Sequence, residues 1–256
     1  MRTTDFSRIL FDSLQYSGND RHNITDETFA QFRDFASARL PEAWESNQWS
    51  DICRLTTFTT FVDENNVTYF TPVEESDEIL GVYARNPQET TKAIPLTYQV
   101  YDTGSLRKIV VSGNLSSGWY LYRKDCPTLN GEVYSPSVVY HKGVQIYFDS
   151  GSGTGTYTPV QGKPHSGNFY TCIANSPTSA GQNPNTNPEL WSKVELPYIF
   201  GSFIAWSSAA NWLVSEGQME EAAVIEGKSK EVLELEYDKF LRQQGQFGKI
   251  NMIKTY

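Results

Sequence analysis

The stretch IFGSFIAWSSAANWLVSEGQMEEAAVIEGKSKEVLELEYDKFLRQ, residues 199–243, decides the helical part of the fold. Ile199, Phe203, Trp206, Ala210 and Leu213 recur at the three- and four-residue spacing of one helix face, and Gly217 stands where a left-handed cap would end that helix. A second helix follows, carrying Ala222, Ile225, Val232, Leu233, Tyr237 and Phe240. Together they predict an αα-hairpin. Glu226 with Lys230 and Asp238 with Arg242 are i,i+4 pairs in the favourable order, each adding only a few tenths of a kcal/mol on an exposed face. Tyr198, Phe200, Ile204 and Trp212 lie off the main stripe, and a helix apolar all round is buried all round. Its second cover is either the N-terminal helices or a neighbouring copy of the chain. In the latter case Tyr198, Phe200, Ile204, Trp212 and, in the tail QGQFGKINMIKTY, Phe247 are the candidate inter-subunit residues.

Towards the N-terminus, Thr25 is placed to cap a helix whose first turn holds Asp26 and Glu27 and whose face carries Phe29, Phe32, Phe35 or Ala36, and Arg39. Pro41 suits the first turn of a further short helix with Ala43 and Trp44. From Arg54 the period changes to two. LTTFTTFV and VTYFTP read as a hairpin, and ILGVYAR, IPLTYQVYD, LRKIVVSG and GWYLYRK as further strands, with a turn at Asp102 to Ser105. Short strands at this spacing predict a β-sandwich or barrel.

Charge marks a boundary between these parts. Residues 1–126 hold 12 basic and 18 acidic side chains, residues 127–188 hold 2 and 2, and residues 189–256 hold 7 and 10. The middle block also holds 8 of the 18 Gly and 7 of the 12 Pro, the composition of short strands joined by turns. It reads as an inserted module and is expected to be dispensable for folding. The expected organisation is therefore α+β: an N-terminal helical segment 1–53, a β domain 54–133, an insert 134–194, and a C-terminal αα-hairpin and tail 195–256 that completes the helical core.

The 256 residues carry a net charge of -9 and 14% aromatic side chains, far more buriable surface than a disordered chain has. The longest apolar stretch, 196–214, is broken by Gly201, Ser202, Ser207, Ser208 and Asn211, so no membrane span is expected, and the N-terminus shows no secretory signal. Cys53, Cys126 and Cys172 are odd in number and lack CxxC spacing, which indicates free thiols rather than disulfides or zinc. His22, His141 and His165 have no partner at metal-ligand spacing, and the Gly-rich loop 151–155 lacks the Lys-Ser/Thr of a P-loop. Glu74-Glu75, Asp77-Glu78 and Glu220-Glu221 read as solvated charge, and no GxSxG elbow is present. No catalytic residue, cofactor or metal is expected, and the chain is not expected to be an enzyme. Net acidity argues against a nucleic-acid binder that grips phosphates.

Two family resemblances add to this reading. Residues 134–194, through Tyr140, Gly143-Val144, Tyr147, Gly167-Asn168-Phe169-Tyr170, Cys172, Asn175, Pro184 and Trp191 with Val194, resemble small chitin- and cellulose-binding modules, some of which occur in phage virion proteins. Where sugar-binding members carry an exposed aromatic pair, this chain has Ile173-Ala174. Tyr157, Phe169, Tyr170 and Trp191 are the candidate glycan contacts, although Tyr147, Tyr170 and Trp191 are better read as the core such a small module needs, which leaves Tyr157 in the Gly-rich loop as the free candidate.

The layout of the rest, with Leu196-Pro197-Tyr198, Asn211-Trp212-Leu213, Glu216-Gly217-Gln218, Glu221-Ala222-Ala223 and Arg242-Gln243-Gln244-Gly245-Gln246, looks like that of tailed-phage head-to-tail connector proteins. That resemblance implies a homo-oligomeric ring, such as a dodecamer, in the virion neck, assembled in the host cytoplasm. It would touch the portal and other connector or tail proteins, with DNA passing through without sequence-specific binding. The alternative is a tail or baseplate accessory protein that binds host-surface glycans through the insert.

Overall fold

The computed structural model describes residues 2–21, 24–64, 66–89, 93–102, 106–113, 115–151 and 166–243. In chain order the elements are β1 (Thr3–Thr4), α1 (Phe6–Tyr16), α2 (Asp26–Ser46), β2 (Cys53–Thr59), β3 (Phe61–Val62), β4 (Thr68–Phe70), β5 (Ser76–Tyr83), β6 (Tyr98–Asp102), β7 (Arg107–Val111), β8 (Ser117–Lys124), β9 (Glu132–Val133), β10 (Gln145–Asp149), β11 (Gly167–Cys172), a 3-10 turn (Pro188–Leu190), β12 (Trp191–Lys193), β13 (Leu196–Pro197), α3 (Tyr198–Ser215) and α4 (Met219–Gln243). Among the described residues the protein is thus mixed α+β, with four α-helices and several mainly antiparallel sheets. None of these helices is long and apolar enough to cross a membrane. The chain divides into two compact units, Met1–Asn47 with Pro127–Tyr256, and Gln48–Cys126.

In the first unit α3 is the central element, packed against α1, α2 and α4. Phe200, Phe203, Ile204, Ala205, Ala209, Ala210 and Leu213 are all buried, and Ser207 spends its hydroxyl on the Phe203 carbonyl at 2.8 Å. A polar side chain is tolerated there because its donor is satisfied inside the helix. Small residues let α4 approach closely: Ala222 and Ser229 are its buried positions. Gly217 adopts φ +78°, the left-handed geometry expected at the end of α3.

Two local expectations change. Pro41 does not start a new helix; α2 runs through it from Asp26 to Ser46. Leu40, Ala43 and Trp44 are buried on either side of the proline, and that packing outweighs the lost backbone hydrogen bond. Phe6–Tyr16, to which the sequence reading assigns no element, is a helix that buries Phe6, Ile9, Leu10 and Leu14 at helical spacing. Thr25 caps α2 as expected, accepting from the Thr28 amide at 3.1 Å.

Arg39 joins three helices. Its guanidinium donates to Asn211 Oδ1 on α3 at 2.7 Å and pairs with Glu226 on α4 at 3.1 Å and with Glu42 on its own helix at 3.0 Å.

The four-stranded sheet β12-β11-β10-β9 belongs to the same unit. Alternation sends Ile146, Phe148 and Cys172 to one side, where they meet Tyr134, Tyr140 and Trp191 in a small core. Tyr147 and Phe169, opposite each other on β10 and β11, face the other way and pack with Phe6 of α1 and Phe29 of α2. Residues 134–194 therefore share an aromatic core with the N-terminal helices. Deleting 127–188 would remove Tyr147 and Phe169 from that core, so the expectation that the block is dispensable for folding is replaced by its opposite. Gly167 is required where it stands, since a Cβ there would collide with the Tyr147 ring and hydroxyl.

The second unit is a β-sandwich, one of the two architectures expected. Sheet β2-β8-β5 faces sheet β3-β4-β7-β6 across a core of Phe58, Phe70, Ile79, Val82, Ile109, Val111, Tyr120 and Tyr122. The run LTTFTTFV splits between the sheets: Cys53–Thr59 pairs with β8, whereas Phe61–Val62 pairs with β4 in the expected hairpin.

Candidate functional site

The four candidate glycan contacts are not brought together on a surface. Phe169 is 1% exposed in the cluster with Phe6, and Trp191 is 5% exposed in the small core, edge-on to Tyr140 at 5.5 Å. Neither ring offers a face to a sugar. Tyr170 is half-buried, edge-on to Phe148, and burial pushes its phenol pKa up. Tyr157 lies outside the described residues, as do His22, His165, the loop residues 152–155 and the turn residues 103–105. Phe169 and Trp191 are spent on packing, which the need of a small sheet for large core residues explains.

The candidate inter-subunit residues meet a similar end. Phe200 and Ile204 are both 0% exposed, covered by other helices of their own unit rather than by a second copy. Trp212 stacks on Phe32 of α2, with ring centroids 5.1 Å apart and planes 11° from parallel. The Arg2 guanidinium sits over the Tyr198 ring at 3.8 Å. Of the two covers left open for α3, the N-terminal helices are the one present. Phe247 lies outside the described residues.

What the first unit does present is a cleft of about 540 Å³ at the β9 end of the sheet, lined by Glu132, Val133, Val138, Val139, Val144 and Gln145 among others. Val138, Val139 and Val144 are each more than two-fifths exposed. The cleft is built rigidly. Gln145 Oε1 accepts from the amides of Asn130 and Gly131 at 2.8 and 3.0 Å, while its Nε2 donates to the Thr128 carbonyl at 3.0 Å. Gly131 lets the backbone lie against Ile146, because a Cβ would come within 2.9 Å of that residue's main chain. On the opposite wall, the Tyr140 hydroxyl accepts from the Ser135 amide at 2.8 Å, and the Tyr140 amide donates to Thr178 Oγ1 at 2.9 Å. These bonds hold the turn that displays Val138 and Val139. Among the described residues β9 is the last strand of its sheet, and α2 lies beside its start, where Arg33 donates to the Gly131 carbonyl at 3.3 Å, so the cleft combines exposed β-branched side chains with the end of a sheet. Burial pushes the Tyr140 phenol pKa up, aided by the nearby Glu132 carboxylate. Among the described residues that line it, Glu132 and Tyr140 are the ionisable groups, so the cleft is equipped for recognition by shape and apolar contact.

A second cleft, of about 440 Å³, lies in the β-sandwich beside Asp77, Asp102, Asp125 and Arg107. Arg107 donates to the carbonyls of Ser76 and Asp77 at 2.7 and 2.8 Å, which turns its charge to a structural use. Burial, and then the Asp77 carboxylate, raise the Asp125 pKa. Among the described residues no group of three His, Cys, Asp or Glu side chains is placed to hold a metal ion. Cys53 and Cys172 are free thiols.

The exposed valines were missed by sequence reasoning, which assigned function to aromatic residues and Ile204. The available signal was Val138-Val139 between turn residues, apolar and β-branched where a loop would be polar. No protein-family model and no curated protein matches the chain.

Proposed function

We propose that the protein is a structural component of a tailed-phage virion, a head-to-tail connector subunit that forms a homo-oligomeric ring against the portal and surrounds the DNA channel. In this reading the N-terminal helices and the αα-hairpin are the connector core, and residues 134–194 are a carbohydrate-binding-module-like sheet recruited for packing. The observation that carries it is the valine-lined cleft at the β9 end of the sheet. Exposed apolar side chains at the end of a sheet are what a protein contact uses, and a second copy of the chain is the partner that a ring supplies. The connector layout of the sequence supports the same conclusion, and the net charge of -9 suits a channel through which DNA slides without being held. No catalytic step is assigned. The alternative, glycan binding through 134–194, loses support because Phe169 and Trp191 are buried.

Negative-stain electron microscopy of the purified full chain, alone and mixed with portal rings, tests the proposal. Rings alone, or rings formed on the portal, are the expected result. Isolated particles in both samples would overturn it.

A further inference from the structure

Sheet β3-β4-β7-β6 turns Phe70, Ile109 and Val111 into the core of the β-sandwich, so the residues between them in sequence face outward. The strand register puts Phe61, Tyr69, Val110 and Gln99 in one outward row across all four strands, with Lys108 and Tyr101 side by side in the next. Phe61 is 57% exposed and Tyr101 50% exposed. Between them, the Lys108 ammonium sits 4.5 Å from the centre of the Tyr69 ring, and the Tyr101 hydroxyl donates to Gln99 Oε1 at 2.6 Å. That bond engages the carbonyl side of the Gln99 amide, whose NH2 carries two donors. The face thus has exposed rings at its two ends and ammonium, amide and phenol groups between them.

Size and chemistry select the occupant. The two longest strands of this sheet have 5 residues each, so at about 3.4 Å per residue and about 4.8 Å between strands the face measures roughly 17 by 14 Å, or about 240 Å². A stable protein interface takes about 800 Å² from each partner. Lys108, the one lysine on the face among the described residues, in a chain of net charge -9, does not supply the phosphate neutralisation that nucleic-acid binding needs. A saccharide chain fits both limits: its C–H faces stack on aromatic rings while its hydroxyls bond to amide and ammonium donors. We propose that this face binds an extended glycan of β-1,4-linked pyranoses, whose equatorial substituents leave flat apolar faces, with sugar rings on Phe61 and Tyr101 and hydroxyls bonded to Lys108 and Gln99. The site is separate from the β9 cleft and stands whether or not the protein forms a ring.

The test is calorimetric titration of the full chain with the β-1,4-linked hexamers of glucose and of N-acetylglucosamine. Saturable binding of at least one hexamer is expected. Phe61→Ala and Tyr101→Ala should each weaken it roughly tenfold with the melting temperature retained, while Ile94→Ala, at an exposed position off this face, should leave it unchanged. The absence of binding by both hexamers at millimolar concentration would overturn the proposal, as would binding that both aromatic substitutions leave intact. Substitutions that change the native mass of the protein, and not glycan binding, would reassign the face to a protein contact.

Discussion

The ring of Phe6, in the first turn of α1, lies edge-on to the ring of Phe169 on β11, with centroids 4.8 Å apart. Both are fully buried, together with Phe29 and Tyr147, so residues far apart in sequence share one aromatic core. Truncating either ring leaves a cavity that rigid neighbours cannot fill. Phe6→Ala and Phe169→Ala are each expected to lower stability by about 3–5 kcal/mol, read by chemical denaturation. Removal of residues 127–188 is expected to give an unfolded or insoluble chain; a soluble product with a cooperative melt would show that the helices do not need the sheet.

Asn168 gives α1 its start. Its Oδ1 accepts from the Phe6 amide at 3.1 Å and its Nδ2 donates to Asp5 Oδ1 at 2.6 Å, whereas Asp5 makes no side-chain cap itself. Asn168→Ala is expected to cost about 1–2 kcal/mol. The loss should appear as increased hydrogen exchange in the first turn of α1; unchanged exchange there would contradict this role.

Arg39 holds α2, α3 and α4 together through Asn211 and Glu226. Its removal leaves the Glu226 carboxylate, only 25% exposed, with the exposed Lys230 ammonium at 3.8 Å as its ion pair. Arg39→Ala is expected to destabilise by roughly 2–3 kcal/mol, discounted from the fully buried case because water reaches the pair. Adding Glu226→Gln to Arg39→Ala should recover part of the loss, measured as a double-mutant cycle.

In the β-sandwich, the Tyr122 hydroxyl donates to Glu75 Oε1 at 2.7 Å. This bond holds the Glu75 carboxyl below the usual carboxylate range, while burial and then the same bond push the Tyr122 phenol well above its own. A lowered carboxylate pKa contributes stability above its unfolded value, and that contribution fades as pH falls through the folded one. A raised phenol pKa contributes stability below its unfolded value, lost as pH rises through the folded one. Tyr122→Phe is therefore expected to cost about 1 kcal/mol near neutral pH. The cost should shrink below the Glu75 titration; a pH-independent difference would contradict the assignment.

The strands of the sandwich and the αα-hairpin were legible because their apolar residues keep a period of two or about 3.6 over several turns. Helix α1 was not assigned although Phe6, Ile9, Leu10 and Leu14 stand at helical spacing; what no local pattern reveals is its start, where Asn168, 162 residues away, satisfies the first amide. Pro41 suggested a break where the burial of Leu40, Ala43 and Trp44 keeps α2 continuous. At the candidate site the difficulty was one of facing. Residue type shows that Phe169 and Trp191 are large and apolar, but only the register of β10, β11 and β12 decides that both turn inward. Phe200 and Ile204 were correctly read as needing a cover, and the sequence left open that the chain covers them itself.

The most direct test of the account is the native mass of the full-length protein by light scattering, alone and with a portal ring, for wild type and for Val139→Asp combined with Val144→Asp. Because both valines are more than two-fifths exposed, the paired substitution should leave the melt unchanged. The account predicts a wild-type ring, free or formed on the portal, that the paired substitution converts to monomers. A wild-type monomer indifferent to the portal, or a ring untouched by the two aspartates, would contradict it.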